Sequence, residues 1–411
     1  MMNNRNKPPV RFGKFSEDWK QRQLTELVEF YSGLTYSPND IRRKGVLVLR
    51  SSNVSNGEIV DSDNVYVTPS AVNCEYVRKG DIVIVVRNGS RSLIGKHAEI
   101  KRNLNNTVVG AFMTGIRSEH HSFVNALLDT SNFDKQIKEN IGATINQITG
   151  YMFSKMGFLV PQSDEEKHFI GMLFCNIDKA IILQRRKIEK LRNIRNSCLA
   201  NMFPRNGEDV PKIRFHGFDG KWEKRKLGNI GKTYTGLSGK TKEDFGHGKA
   251  RFITYMNVFS NPICDPGLTE PIEPDSKQNE VEIGDVFFTI SSETPEEVGM
   301  SSVLLEKKGK TYLNSFCFGF RPSQKIDSLF LAYLLRCPSV RSNLIVLAQG
   351  ISRYNISRNK VMEIEIDIPS LDEQYYLGRF FFTYDRTIAL QCERLEKLKN
   401  IKKAFLEKMF L

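Results

Sequence analysis

The residues that could carry chemistry fall into patterns that begin correctly and then break. Gly236-Leu237-Ser238-Gly239-Lys240-Thr241 ends like a loop that cradles phosphate on its backbone amides, but Tyr234 stands where the first glycine is required. Asn261-Pro262-Ile263-Cys264 is too poor a match to the Asn-Pro-Pro-Tyr element of a methyltransferase. Pro274-Asp275, followed far downstream by Glu306-Lys307-Lys308, imitates a nuclease carboxylate-lysine set at a spacing that chance produces often. The six histidines have no ligand spacing. Glu296-Glu297 and Asp164-Glu165-Glu166 fit a turn and a helix start better than acid–base pairs. The expectation is a chain with no catalytic residue and no metal site, whose chemistry is recognition.

Charge says what kind of recognition. Lys and Arg number 60 against 47 Asp and Glu, a formal charge of +13. That balance suits a polyanion, because each neutralised phosphate releases condensed counterions. No run of eighteen apolar residues appears, so no membrane span is expected. Met1 to Pro9 is polar, unlike a secretory signal. Seven cysteines, an odd number with no Cys-x-x-Cys, suit reduced thiols in a cytoplasmic protein rather than disulfides or zinc.

The elements that must position a binding surface are written twice. Arg11-Phe12, Phe15, Trp19 and Leu24 recur 203 residues later as Arg214-Phe215, Phe218, Trp222 and Leu227. Tyr31, Gly33 and Leu34 recur as Tyr234, Gly236 and Leu237, and the only two tryptophans are equivalent. The register then slips by one: Asn53-Val54 matches Asn257-Val258, and Gly80-Asp81 matches Gly284-Asp285. Each Gly-Asp pair opens a strand-like run, Ile82 to Val86 and Val286 to Ile290, and the residues after the runs differ completely. At an offset of 207, Glu189-Lys190-Leu191 matches Glu396-Lys397-Leu398, and Met202-Phe203 matches Met409-Phe410. A period this long is a duplicated domain, not a solenoid.

Each half closes with a helical segment of roughly forty residues, about 60 Å long. Ser163 with Glu166, and Ser370 with Glu373, have capping-box spacing. An apolar stripe runs through Ile170, Ile177, Ile181, Ile188 and Met202, and through Leu377, Tyr384, Ile388, Leu395 and Met409. One stripe on so long a helix needs a partner, and the other helix is the natural one. Gln184 and Arg195 interrupt the first stripe, and Gln391 and Lys402 interrupt the second at the same offset. If the helices pair antiparallel, Gln184 and Gln391 mark the pairing axis and fix register; the alternative is that both face solvent at a seam edge. The cluster Arg185, Arg186, Lys187, Lys190, Arg192 and Arg195 reads first as a solvated face.

These paired openings (Trp19 to Gly33, Trp222 to Gly236), the Gly-Asp strand starts, and Pro369-Ser370-Leu371-Asp372-Glu373-Gln374 before the second helix resemble the specificity subunit of type I restriction-modification systems. The first helix start, Pro161-Gln162-Ser163-Asp164-Glu165-Glu166, departs by carrying Glu166 where Gln is expected. The resemblance covers essentially the whole chain. It implies an α+β fold: two tandem mixed α/β target-recognition domains, residues 1–162 and 206–369, separated by two long helices, 163–205 and 370–411, packed as a pseudo-two-fold antiparallel coiled coil. It implies further that each recognition domain reads half of a bipartite double-stranded DNA target. Modification subunits would dock on the helical region and methylate adenine, and restriction subunits would add ATP-driven translocation and cleavage. S-adenosylmethionine, ATP and Mg²⁺ would belong to those partners, with no cofactor in this chain.

Within that frame, polar and basic residues just beyond strand ends are the candidate contacts. In the first domain they are Arg50, Ser51, Ser52, Asn53, Arg87, Asn88, Ser90, Arg91, Thr144, Asn146 and Gln147. In the second they are Tyr255, Asn257, Ser291, Ser292, Arg353, Tyr354 and Asn355. Arg suits guanine, and Asn or Gln suits adenine, while any of them can contact phosphate or simply cap a turn. Asn53 and Asn257 lie in the shared frame, which favours a structural or backbone-contacting role. Two rival readings remain, a nuclease acting alone and a coiled-coil scaffold that binds no DNA.

Overall fold

A computed structural model describes residues 6–141 and 146–411. The chain forms two compact units: Met1–Arg185 together with Glu393–Leu411, and Arg186–Cys392. The division falls inside both long helices, Asp164–Asn201 and Leu371–Met409, rather than at their ends. Each unit therefore owns one globular domain and a piece of each helix.

Inside each unit the duplication is structural. In the first, an antiparallel sheet runs in the order Glu29–Ser32, Met113–Arg117, Ile82–Val85, His97–Glu99. In the second the order is Gly231–Thr235, Cys317–Pro322, Val286–Thr289, Ser301–Val303. The strands after the Gly-Asp pairs, Ile82–Val85 and Val286–Thr289, are buried at every position, as central strands covered on both faces must be. A further sheet in each unit contains one parallel pair, Val46–Leu49 with Thr107–Val109 and Phe245–Ile253 with Thr311–Leu313. Lys20–Gln23 pairs with Gly157–Val160, and Glu223–Lys226 with Glu365–Ile368. A pair of consecutive helices recurs in both units, His121–Leu128 with Ser131–Asn140, and Ser328–Leu334 with Pro338–Val346.

The Gly-Asp pairs are explained by what surrounds them. Gly80 and Gly284 have φ of 92° and 94°, which favours glycine. Asp81 accepts from the Tyr31 hydroxyl at 2.7 Å and from Arg117 Nε at 3.0 Å. Asp285 accepts from Tyr234 at 2.5 Å and from Arg321 Nε at 2.8 Å. Each guanidinium also lies over its tyrosine ring, at 4.6 and 5.2 Å. Burial first, then the aspartate beside it, pushes both tyrosine hydroxyls above their ordinary range, so they stay protonated as donors.

The tryptophans mark where the long helices enter the cores. Phe410, at the end of the second helix, lies 6.2 Å from Trp19, 5.7 Å from Phe123 and 5.7 Å from Phe174. Phe203, just past the end of the first, lies 6.1 Å from Trp222, 5.9 Å from Phe330 and 5.7 Å from Phe381. Each helix thus plugs a Met-Phe pair into a globular core.

Within each unit the two helix pieces run antiparallel. In the first, Phe174 meets Phe410 while Asp178, further along, meets Lys402. In the second, Arg195 meets Asp385 and Phe203 meets Phe381. The Arg195 and Lys402 interruptions of the stripe are therefore ion pairs across the helix seam. The buried face is also wider than the stripe, since Phe174, Ile182, Leu199 and Phe381 share it. At the helix starts, the Ser163 and Ser370 hydroxyls accept from the Glu166 and Glu373 amides as the capping spacing requires. The glutamates do something the box did not anticipate. Glu166 accepts both Nε and Nη2 of Arg11, at 2.5 and 2.7 Å, and Glu373 accepts the same atoms of Arg214, both at 2.7 Å. The Arg-Phe motif of each opening is thus the far half of a buried, bidentate clamp on each helix start.

Among the described residues, no single helix is long and apolar enough to cross a membrane.

Candidate nucleic-acid interface

Three segments meet at the same place in each unit. In the first, Val86 and Arg87 donate their amides to Phe112 O at 3.0 and 3.2 Å, and Ile148 donates to Val86 O at 2.8 Å. In the second, Ile290 donates to Phe316 O and Ile356 to Ile290 O, both at 2.9 Å. Arg87 forms a β-bridge with Gln147, and Ser291 pairs with Asn355 in the corresponding position. The rim so formed lies just past the central strand of each sheet.

The candidates gather on these rims. Asn88 Nδ2 donates to Ser51 Oγ at 3.0 Å, its amide to Asn146 O at 3.3 Å, and its Oδ1 accepts from Ser90. Asn146 Nδ2 donates to Gly89 O at 2.9 Å. Ser51, Arg87, Asn88, Ser90, Asn146 and Gln147 are therefore one contiguous surface. Arg87 is exposed, and its guanidinium lies 5.1 Å from the Phe112 ring centre. In the second unit, Tyr255 donates to Ser291 O at 2.7 Å and stacks on Phe259 at 5.8 Å. Tyr255, Ser291, Ser292 and Arg353 line a cleft of about 260 Å³ with Phe316. Tyr354 and Asn355 form its edge through pairing with Ser292 and Ser291.

Other candidates lie apart from the rim or are spoken for. Arg50 is half-buried with Nη1 3.2 Å from Asp63. The Ser52 hydroxyl is buried and finds no partner. Arg91 reaches Ile141 O at 3.4 Å. Thr144 lies outside the described residues. Asn53 and Asn257 are fully buried. Asn53 donates to Ser62 O and Asn64 Oδ1 and accepts from the Arg50 amide. Asn257 donates to Asp265 O and Leu268 O and accepts from the Asp265 amide. Both amides are consumed in holding turns behind the rim, and neither side chain presents a donor to the outside.

Sequence reading missed Phe112 and Phe316. They are 56% and 59% exposed, a rare state for phenylalanine, and sit at the centre of the two rims. Their offset of 204 equals that of Asn53/Asn257 and Gly80/Gly284, which was the available signal.

The broken catalytic patterns are occupied structurally. Lys240 ion-pairs with Asp275 at 3.0 Å, and Lys307 with Glu280 at 2.8 Å. Burial pushes the Cys264 and Cys317 thiols up to about 12, far from a nucleophile's range. Among the described residues no group of three or more His, Cys, Asp or Glu converges as metal ligands. Gln391 is buried and Gln184 half-buried, each at the point where its helix passes from one unit to the other.

One frame carrying two unlike rims, on a strongly basic chain, defines a tandem recognition protein with a separate reading head in each unit. The chain belongs to the family of the type I restriction modification DNA specificity domain, which matches residues 16–193 and 219–400. It is 23% identical over 97% of its length to the StySPI type I restriction enzyme specificity subunit of Salmonella potsdam, covering 89% of that protein. It is 24% identical to the EcoKI specificity subunit of Escherichia coli (strain K12), with the same coverages of 97% and 89%. In fold it is similar to the type I restriction-modification S subunit from M. genitalium, with a TM-score of 0.64 over 98% of this chain and 99% of that one at 14% identity. A second solved chain, from a study of complex assembly in the type I R-M system, gives a TM-score of 0.52 at 17% identity over 95% and 97%. DNA-recognition specificity is the function of this family and of this chain.

Proposed function

We propose that the two rims read the two halves of a split double-stranded DNA target on behalf of partner subunits. The observation that carries this is the rim itself: three segments joined by two equivalent backbone hydrogen bonds in both units, bearing Arg87, Asn88 and Gln147 in one and Ser291, Tyr354 and Asn355 in the other. A shared frame with different side chains is what base-edge readout needs, because donors and acceptors must change while geometry holds. Arg87 with Phe112, and Arg353 with Phe316, are the leading contacts; Ser51, Asn88, Ser90, Asn146, Gln147, Tyr255, Ser292 and Asn355 complete the rims, Arg50, Ser52 and Arg91 flank them, and Thr144 stays a candidate contact outside the described residues. Gln184 and Gln391 are assigned as the marks of the helix-pairing axis.

In this reading the chain is non-catalytic and works in the cytoplasm. Modification subunits dock on its helices and methylate adenine with S-adenosylmethionine, and restriction subunits use ATP and Mg²⁺ to translocate and cleave. Half-site separation then follows from the geometry of the reading heads. A genome-wide map of methylated adenines in cells carrying this chain and its partners tests the reading. A split motif with a constant gap is expected; an unbroken motif, or none, overturns it.

A further inference from the structure

The first unit has a second charged feature beside its rim. A cleft of about 520 Å³ is bounded by the edge strand His97–Glu99, by Asp129 and Asp134, and by both helix pieces of that unit. Ser92 lines it, and Ser92 Oγ is 2.9 Å from Ser90 Oγ on the rim; Asn56 and Gly57, just past the Asn53 turn, line it too. The cleft is thus continuous with the reading head.

Its charges are unbalanced. Lys402 is held between Asp129 and Asp178, at 2.6 Å from each, and this trio carries one net negative charge. Lys96, Lys101, Arg185, Lys399 and Lys403 remain, against Asp134 as the further lining carboxylate. Lys96, Lys101 and Arg185 have no ion pair among the described residues, and Lys399 and Lys403 pair only with Glu396 and Glu407 of their own helix. Among the described residues no aromatic ring other than His97 lines the cleft, so it has little on which to stack a base. Phosphate is what it can hold.

The second unit does not repeat these charges. By the same offsets Met300, Leu305, Cys392 and Asn196 stand where Lys96, Lys101, Arg185 and Lys403 do, with only Arg192 opposite Lys399. Asp129 and Asp134 are replaced by Arg336 and Arg341, and both turn inward. Arg336 donates Nη2 to the carbonyls of Val258, Phe259 and Asn261, and Arg341 donates to those of Val298 and Gly299. Burial lowers both guanidiniums to about 10, as expected of groups turned from water to carbonyls.

We propose that the cleft holds the DNA phosphate backbone immediately beside the half-site read by the first unit, and that this contact is made once, not twice. The proposal rests on the DNA-reading function above. Equilibrium binding of the full chain to its target is measured between about 50 and 200 mM salt, for the wild type and for Lys96→Gln/Lys101→Gln/Lys403→Gln. Removing three phosphate contacts lowers the salt slope by about 2.7, so the affinity lost across that range shrinks about 40-fold, with the preferred sequence unchanged. The Lys→Arg triple variant keeps the wild-type slope. Phosphate ethylation interferes with binding beyond one half-site only. An unchanged slope in the Gln variant, or interference extending equally beyond both half-sites, overturns the proposal. A wild-type chain that shows no sequence preference overturns the underlying reading instead.

Discussion

Arg195 donates to Asp385 through Nε at 2.8 Å and Nη2 at 3.2 Å, locking the two helix pieces of the second unit at one register. The equivalent positions 207 residues away are Lys402 and Asp178, which form the same pair with the donor changed from guanidinium to ammonium. Asp178 is nonetheless raised from its ordinary value, because burial outweighs the attraction of Lys402. Such pairs specify alignment more than they stabilise. Asp385→Ala leaves a half-buried guanidinium without its partner and is expected to lower stability by about 2 kcal/mol, while Arg195→Met/Asp385→Leu recovers most of it. Chemical denaturation of the two variants checks this, and an equal loss in the double variant would count against it.

The aromatic plugs give each unit its own reporter. Phe410→Ala removes a ring from the Trp19 cluster and Phe203→Ala one from the Trp222 cluster; each is expected to cost about 3–5 kcal/mol. With the other tryptophan replaced by phenylalanine, fluorescence follows one unit at a time. Phe410→Ala is expected to lower the Trp19 midpoint more than the Trp222 midpoint, and Phe203→Ala to do the reverse.

Rim and frame separate by mutation. Arg87→Ala removes an exposed guanidinium beside Phe112 and is expected to weaken cognate binding by about 1–3 kcal/mol with an unchanged melting temperature. Asn53→Ala strands the Arg50 amide and two carbonyls in a buried turn, and is expected to lower the melting temperature first. Paired calorimetry and binding titrations on both variants would reveal a reversal of these effects.

Two histidines are expected to make the stability of the first unit depend on pH. Burial opposes charge on His97, but Asp129 at 3.5 Å wins and raises it. The Glu99 hydrogen bond, 2.8 Å long, is the main cause that raises His121. A histidine raised on folding stabilises the fold fully below its unfolded value near 6.5, and that contribution disappears as pH rises through the folded value. The Trp19-reported midpoint is therefore expected to fall as pH climbs from about 6.5 toward 9. His97→Asn/His121→Asn should flatten that fall, and a profile the variant leaves unaltered would disprove the assignment.

The sequence showed what a single position can announce. Gly80 and Gly284 were legible because a positive φ selects glycine locally, and the helix starts because Ser163 and Ser370 cap within their own turn. Periodicity placed both long helices to within a few residues at their ends. What was illegible depends on residues far apart in the chain. Nothing near Arg117 says that it will close on Asp81, or near Arg11 that Glu166, 155 residues on, will receive it. The same limit explains the candidate contacts. Asn53 and Asn88 are both asparagines after a strand, and only the folded turn shows that one amide is fully consumed while the other belongs to the rim.

The first unit contains Glu393–Leu411, whereas the second is one unbroken stretch, Arg186–Cys392. During synthesis the chain emerges in residue order, at about 5–20 residues per second. The second unit has all of its parts first. The first unit, although its opening residues leave the ribosome earliest, must wait with Trp19 and Phe123 unsealed until Phe410 arrives. Maturation is therefore expected to run backwards along the polypeptide: a released chain that stops at residue 392 has every part of the second head and lacks the segment that seals the first, a natural client for chaperones.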